Sequence, residues 1–486
     1  MVLPALVDED ATRVVLAFLD RAALGRFAAT SEAADALVDD APWEALYLDD
    51  VGRPRAAATR ARPPAWWRRK TRVWRALSRG LALRRVRPGA YLPLGLGGLA
   101  AAPLGDGVVL QGGAARGFLF SDRCWFWAGG KIREQAGYCP RGAATDGAGR
   151  SARAPRWQHT AVNAGGAAWF FGGEVDDARE PFPRWDCDAS LFRVTLERGA
   201  TVCARVVASG DAVFGSSGHS CVADETRRRL VFFGGRVGPG GACTADVRHF
   251  DYERLAWRGA VPVDGRPPAP RWCHACAALG SGGSFVVAGG WSNPTAARFY
   301  FDDCHVLEDG AWSELGADVA RPPKRTQACC WHIPAADSRG YVLLFGGAAA
   351  EPGWEVDPRD PAGRRRRPRP VEDRDDAWVL DVDTGCWRRA VLGGAARGGG
   401  GCGATVTTAG GSRLLFGGKR EVPDACPEFL DQISELRVTG RELHACLPSL
   451  GDLDEAPVDD DPDGFDSDDS ATWGGLPGGY GREVFL

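Results

Sequence analysis

The chain has 486 residues, enough for several domains or one large repeated core, and its net charge of −4 selects no class of partner. No stretch approaches the roughly 18 apolar residues of a membrane span, and Asp8, Glu9 and Asp10 ahead of the first apolar run do not suit a secretory signal. Fifteen scattered cysteines without a compact framework point to a cytoplasmic or nuclear chain with reduced thiols.

Residues 3–47 read as three helices. Ala11, Val14, Val15, Phe18 and Leu19 share one helical face. Asp20 can cap a second helix carrying Leu24 and Phe27, and Ser31 a third carrying Ala33, Ala34, Leu37 and Val38, with Trp43 and Leu46 after it. So small a unit has a thin core and gains by docking on a partner. The Leu3-Pro4 start, Leu6, the run 14–20 (VVLAFLD), Leu24, the run 28–31 (AATS) and the end 43–47 (WEALY) resemble an F-box. The third helix departs from that pattern at Glu32 and Ala34. The resemblance implies binding to a Skp-family adaptor and, through it, a cullin–RING (SCF-type) ubiquitin ligase. Leu3, Pro4, Leu6, Val15, Leu16, Leu19 and Leu24 would make that contact.

Residues 51–90 form a basic linker, with 13 basic side chains between Arg53 and Arg87 and no acidic one. Trp66, Trp67, Val73, Trp74, Leu77 and Leu81 sit at helical spacing within it. A basic helix with aromatics can bind nucleic acid or acidic membranes. A linker helix resting its tryptophans on a neighbouring domain is the plainer reading, and neither nucleic acid nor membrane is an expected partner.

Then one pattern repeats six times, an apolar run entering a glycine pair: 108–113 (VVLQGG), 168–173 (AWFFGG), 230–235 (LVFFGG), 285–290 (FVVAGG), 342–347 (VLLFGG) and 413–418 (RLLFGG). The steps between copies are 60, 62, 55, 57 and 71 residues. A fixed period means one stacked structural unit. The short Val, Leu and Phe runs suit strands covered on both faces. Asp246, Asp303 and Asp376 each open a further strand, and Trp257, Trp312 and Trp387 follow in a fourth. Arg156, Arg271, Arg325 and Arg397 end one unit before the next begins. In the first, second and sixth units the tryptophan is missing, with Ile132 and Cys203 standing near that place in the first two.

Paired glycines, a spaced acidic residue and a tryptophan at this period resemble the kelch repeat. That resemblance implies a mainly β fold, a propeller of about six four-stranded blades over residues 91–450, preceded by the small helical domain of residues 1–50. Residues 91–102 or the C-terminal tail are the candidates to close the ring. Residues 348–374 read as an exposed loop inserted in the fifth unit. Residues 451–486 form an acidic tail expected to be disordered, with ten acidic and no basic residues in 452–469.

Two apparent sites fail on context. Cys273 and Cys276 flank His274, but no second such pair follows at zinc spacing, and a strand would turn them to opposite faces. The run 398–403 (GGGGCG) precedes a strand and does not join a strand to a helix, so it is no phosphate loop. Three tyrosines in the second to fifth units, Tyr252, Tyr300 and Tyr341, argue against a copper propeller oxidase. No catalytic residue, metal or cofactor is expected.

Kelch propellers meet partners through loops on one face, so the substrate-binding surface is expected to include Trp157, Gln158, Glu174, Arg236, Trp272, Cys273, Trp291, Thr326, Gln327 and Lys419. The sequence thus reads as the receptor subunit of a ubiquitin ligase that holds a protein substrate. A ligase-independent interaction scaffold is the alternative.

Overall fold

The computed structural model describes Trp43 and residues 66–438, apart from short internal stretches, the longest being 136–154, 177–184, 293–298, 357–365 and 394–402. The seven residues expected to contact an adaptor, Arg397 and the acidic tail lie outside the described residues.

Six sheets form the blades of a propeller, each with four antiparallel strands, and three of them carry a short fifth strand parallel to the outermost. In blade 2, Thr160–Ala164, Ala167–Phe171, Leu191–Glu197 and Ala200–Arg205 pair in that order from the innermost strand outwards. Blade 1 starts at Ala100–Leu104, blade 3 at Ser220–Asp224, blade 4 at Ala275–Ala278, blade 5 at Cys329–Ala335 and blade 6 at Ala404–Thr407. The second strand of each carries the apolar run. It lies between two neighbouring sheets, and all five residues of Ala167–Phe171 are accordingly buried.

Packing between blades is aromatic and aliphatic. Phe171 of blade 2 meets Phe232 and Trp257 of blade 3 at ring-centroid distances of 5.1 and 5.0 Å. Phe233 of blade 3 meets Trp312 of blade 4 at 4.9 Å. Trp257, Trp312 and Trp387 therefore each face the preceding blade, and all are buried. At the equivalent interfaces Cys203 does this for blade 2 and the half-buried Ile132 for blade 1.

Blade 6 is composite, which corrects the expected closure. Its fourth strand is β1, Leu81–Arg85, which comes from the stretch expected to be linker. β1 runs antiparallel to Ile433–Val438 with Leu81 opposite Val438 and Arg85 opposite Ser434. Leu392–Gly393 lies parallel to β1. Ser209–Gly210 and Asp264–Gly265 lie in the same way beside the fourth strands of blades 3 and 4. No tryptophan was found for the sixth unit beyond residue 438 because its fourth strand lies about 350 residues earlier in the chain.

Helix α1, Trp66–Leu77, stops before Leu81, the last residue of the expected helical pattern. Trp66, Trp67, Val73, Trp74 and Leu77 enter the cluster between blades 5 and 6, beside Tyr341, Ile333, Leu83 and Leu436. There α1 supplies a fully buried indole, Trp74, while β1 brings only Leu81 and Leu83. Lys70 points into the same interface. Its Nζ donates to Asp381 at 2.6 Å and Asp383 at 2.5 Å and lies over the rings of Trp66 and Tyr341. Trp43 packs in this cluster too, and Thr71 donates its hydroxyl to the Trp43 carbonyl.

The insertion of blade 5 is a hairpin, not a loop. Ala348–Ala350 pairs with Val371–Asp373, and Trp354–Val356 with Arg366–Pro368.

Truncating a fully buried tryptophan costs about 3–5 kcal/mol. Trp74→Ala is expected to lose that much in denaturant unfolding. A chain starting at residue 87, lacking both α1 and β1, should melt well below one starting at residue 64 in a calorimetric scan.

Candidate functional site

One end of the propeller carries the connectors between blades and the short ribbons that follow each glycine pair. Its order comes from backbone hydrogen bonds. The second glycine of five of the six pairs donates its N–H to a connector carbonyl of the next blade: Gly113 to Arg156, Gly173 to Ser216, Gly235 to Arg271, Gly290 to Arg325 and Gly418 to Leu96, all at 2.8–2.9 Å. A side chain at Gly173 would have φ near 92° and a Cβ 2.8 Å from the Trp157 carbonyl, so both strain and space demand glycine there.

A second belt lies beside the central channel. Gly98, Gln158, Gly218, Cys273 and Gln327 all hold positive φ between 52° and 63°. Each N–H donates to the preceding member, Gln158 to Gly98, Gly218 to Gln158, Cys273 to Gly218 and Gln327 to Cys273, at 2.7–2.9 Å.

Connector arginines clasp blades 2, 4 and 5 internally. Arg271 donates to the Gly289 carbonyl and to both oxygens of Asp303. Arg325 does the same with Gly346 and Asp376, and Arg156 donates to the Gly172 carbonyl and to Oδ2 of Asp188. Burial alone would raise the pKa of Asp303, but hydrogen bonds from Arg271 and His305 outweigh it and hold the carboxyl well below the usual range. Asp376 is lowered in the same way, with Arg325 overcoming burial.

The histidines after the connectors are structural. His219 Nε2 bonds the Thr160 hydroxyl of the preceding blade at 2.8 Å, and His274 Nε2 bonds that of Ser220 at 3.0 Å. Burial depresses all three: His159 and His219 fall well below the ordinary value and His274 falls to about 3. They are neutral imidazoles at pH 7.

The ten residues expected on the binding surface occupy this layer, but most are not on its outside. Trp157, Gln158, Glu174, Trp272, Cys273, Thr326 and Lys419 are buried. Arg236, Trp291 and Gln327 are half-buried. The expectation of exposed anchors is therefore corrected: these side chains stack on one another. Arg236 pairs with Glu174 at 3.1 Å and lies 5.0 Å over Trp272. Trp272 meets Trp291 at 4.8 Å, and Trp291 stacks on Tyr300 at 6.0 Å. Burial raises the pKa of Glu174 against the pull of Arg236 and Ser217.

Sequence reasoning missed the apolar groups that are exposed here. Phe299, 53% exposed, opposes Ser292 in the blade 4 ribbon, with Lys324 5.2 Å above its ring. Phe214 on the connector into blade 3 and Leu119 in the blade 1 ribbon are 72% and 71% exposed. A signal was present in residues 299–301 (FYF), whose alternation puts Phe299 and Phe301 on the opposite face from the buried Tyr300.

The channel holds about 560 Å³ and is lined by the innermost strands, including His159, His219, His274, Cys221, Cys276 and Cys330. Burial pushes the Cys276 thiol up to about 12 and Cys330 well up also, so neither is a ready nucleophile. Among the described residues no group of three or more His, Cys, Asp or Glu is arranged to hold a metal. Cys273 sits in the αL belt ahead of the strand that carries Cys276. No helix among the described residues is long and apolar enough to cross a membrane.

Six blades, with glycine latches at five junctions and arginine–aspartate clasps in blades 2, 4 and 5, define a kelch-type β-propeller. Residues 158–418 match the KLHDC2/KLHL20/DRC7 Kelch-repeats domain, and the chain belongs to this family of kelch-repeat proteins. Host cell factor 1 of Homo sapiens is 25% identical over 224 residues, which are 43% of this chain and 10% of that protein. Kelch domain-containing protein 1 of Mus musculus is 27% identical over 147 residues, 30% of this chain and 29% of that one. Kelch domain-containing protein 2 of Bos taurus is 34% identical over 103 residues, 21% and 23%. The chain thus spans about a tenth of Host cell factor 1 and under a third of the two kelch domain-containing relatives. The solved structure of YjhT aligns along its whole length with 73% of this chain, at TM-score 0.50 and 15% identity, a likeness of fold.

Two pH effects follow. The Asp303 carboxyl titrates lower folded than unfolded, so its contribution is present above about pH 4 and is lost as pH falls through the folded value. The buried histidines also titrate lower folded, so the unfolded chain takes up their protons first and stability falls as pH drops below about 6.5. Melting temperature should therefore decline from pH 7 to pH 5, and less steeply in His274→Gln. Asp303→Ala, which leaves Arg271 buried without its partner, should cost about 3–5 kcal/mol at pH 7.

Proposed function

We propose that this chain is the substrate-recognition subunit of an SCF-type cullin–RING ubiquitin ligase. Residues 1–50 would dock a Skp-family adaptor through Leu3, Pro4, Leu6, Val15, Leu16, Leu19 and Leu24. The propeller would hold the substrate protein at its connector face. Support for the first half is the F-box resemblance of residues 1–50, and for the second the family's kelch domain, an interaction fold.

The observation that carries the reading is how the two are joined. Trp43, at the end of the F-box-like segment, is 5% exposed in the cluster where α1 meets blades 5 and 6. A receptor working by proximity needs its two binding ends at a fixed reach, because effective concentration falls when a linker is slack. Lys70 and Trp74 fix α1, and α1 fixes Trp43. The chain would contribute no catalytic group of its own.

On the substrate side the half-exposed Trp291, Arg236 and Gln327 with the exposed Phe299 are the accessible contacts, and the buried members of the layer hold them in place. Tryptophan and arginine are the commonest energetic anchors of protein interfaces.

The full chain should co-purify with a Skp-family adaptor, and the triple variant Leu3→Ala, Pro4→Ala, Leu16→Ala should not. No capture by the unaltered chain would remove the ligase reading and leave an interaction scaffold.

A further inference from the structure

A cavity of about 240 Å³ lies between blades 3 and 4, at the end of the propeller opposite the connectors. Blade 3 lines it with Arg227 from the turn after its innermost strand, Arg229 and Val231 from its second strand, and Val247 and His249 from its third. Blade 4 lines it with the turn 282–284 (GGS), with Leu307 and with the turn at Asp309 and Gly310.

The crevice between blades 5 and 6 shows what this level of the propeller can take. Tyr341 stands opposite Asp381 in blade 5 as Arg229 stands opposite Asp251 in blade 3, each five residues before the first glycine of its pair. Beside Tyr341 the crevice is filled by α1, whose Lys70 sits on Asp381 and Asp383. Between blades 3 and 4 no helix enters among the described residues, and the charge is reversed. Where blades 4 and 5 carry Val306 and Val379, blade 3 carries His249.

The blade 3 side chains keep donors to spare. Arg229 Nε donates to Asp224 at 2.9 Å and its Nη1 to His249 Nδ1 at 3.0 Å, which leaves Nη2. Because Nδ1 accepts, the ring proton is on Nε2, a further donor. Burial and Arg229 lower the His249 pKa to about 4, so the ring is neutral at pH 7 and keeps that tautomer. Arg227 gives its Nη1 to Asp224 at 3.3 Å, and its side chain is 54% exposed. Asp224, fully buried, offsets one of the two guanidiniums it touches. Arg258, opposite His249, adds a third guanidinium. Asp309 on the blade 4 side is exposed, so solvent screens its charge.

Two guanidiniums and an imidazole N–H around one cavity can donate from several directions. That suits a tetrahedral oxyanion, with acceptors on every side, better than a planar carboxylate, which one guanidinium fork satisfies. Val231, Val247 and Leu307 provide an apolar wall beside it for a substituent. We propose that the crevice between blades 3 and 4 is a binding site for a phosphate group, as the free ion or a phosphate ester, held by Arg227, Arg229 and His249.

Calorimetric titration of the full chain with sodium phosphate and with O-phospho-L-serine, against sodium acetate and sodium chloride at equal ionic strength, tests this. Saturable binding of one phosphate group is expected, with no saturable response to acetate or chloride. The tighter of the two phosphate ligands names the source, and either supports the site. Arg227→Ala, at an exposed side chain, should weaken binding about tenfold, the loss of one charge-assisted contact. Its melting temperature, read alongside, separates lost binding from lost fold. His249→Val, which gives blade 3 the residue of blades 4 and 5, should weaken binding further in the double variant. Absence of saturable binding of both phosphate ligands overturns the proposal. So does an equal response to acetate or chloride, which would mean an adventitious ion only, or undiminished binding in the double variant Arg227→Ala, His249→Val.

Discussion

The hydrogen bond from the second glycine of a pair to the next blade's connector, present at five of the six junctions among the described residues, is the constraint on which the propeller rests. A blade has two apolar faces and cannot bury either alone, so it needs a neighbour at a fixed angle and height. Side-chain packing sets the spacing loosely, since Phe, Trp and Leu can slide. The bond from Gly173 to Ser216 or from Gly290 to Arg325 fixes height to within a hydrogen-bond length. It requires two backbones to approach so closely that a Cβ at Gly290 would lie 2.9 Å from the Cβ of His274. The paired glycine is therefore the least replaceable element of the repeat.

Closure follows from the same logic. An open ring would leave the third strand of blade 6, Ile433–Val438, with an unpaired edge, a template for aggregation. β1 covers that edge, and Gly418 latches to Leu96 at the same junction. The chain thus meets itself twice, once in a sheet and once in the connector layer. Because β1 directly follows α1, the segment that closes the ring also anchors the N-terminal helix, so ring integrity and the position of Trp43 are physically linked.

The sequence showed the repeat plainly, because glycine pairs and apolar runs are local and periodic. Fold class, blade count and the roles of Trp257, Trp312 and Trp387 could all be read from it. Closure could not be, since Leu81–Arg85 carries no repeat signature and its partner strand lies about 350 residues away. The buried state of the connector face was hidden for a related reason. Trp157 and Trp272 stand in loops, where exposure is the default expectation, but the loops form a second packed layer with its own stacked side chains and ion pairs. Phe299 was overlooked because a strand of two residues has no period to count.

That second layer changes what the connector face can do. Loops that order only on binding lose affinity to conformational entropy, whereas loops already fixed do not. Here the αL belt, the glycine latches and the arginine–aspartate clasps order the connectors before any partner arrives. Few side chains remain to adjust, chiefly Phe299, Trp291 and the outer part of Arg236. Recognition then depends on shape and on a small number of anchors, and Glu174 beneath Arg236 and Trp272 beneath Trp291 act by holding those anchors in one orientation. Substituting a buried member should therefore loosen the anchor above it, so loss of partner binding alone would not mark a residue as a contact.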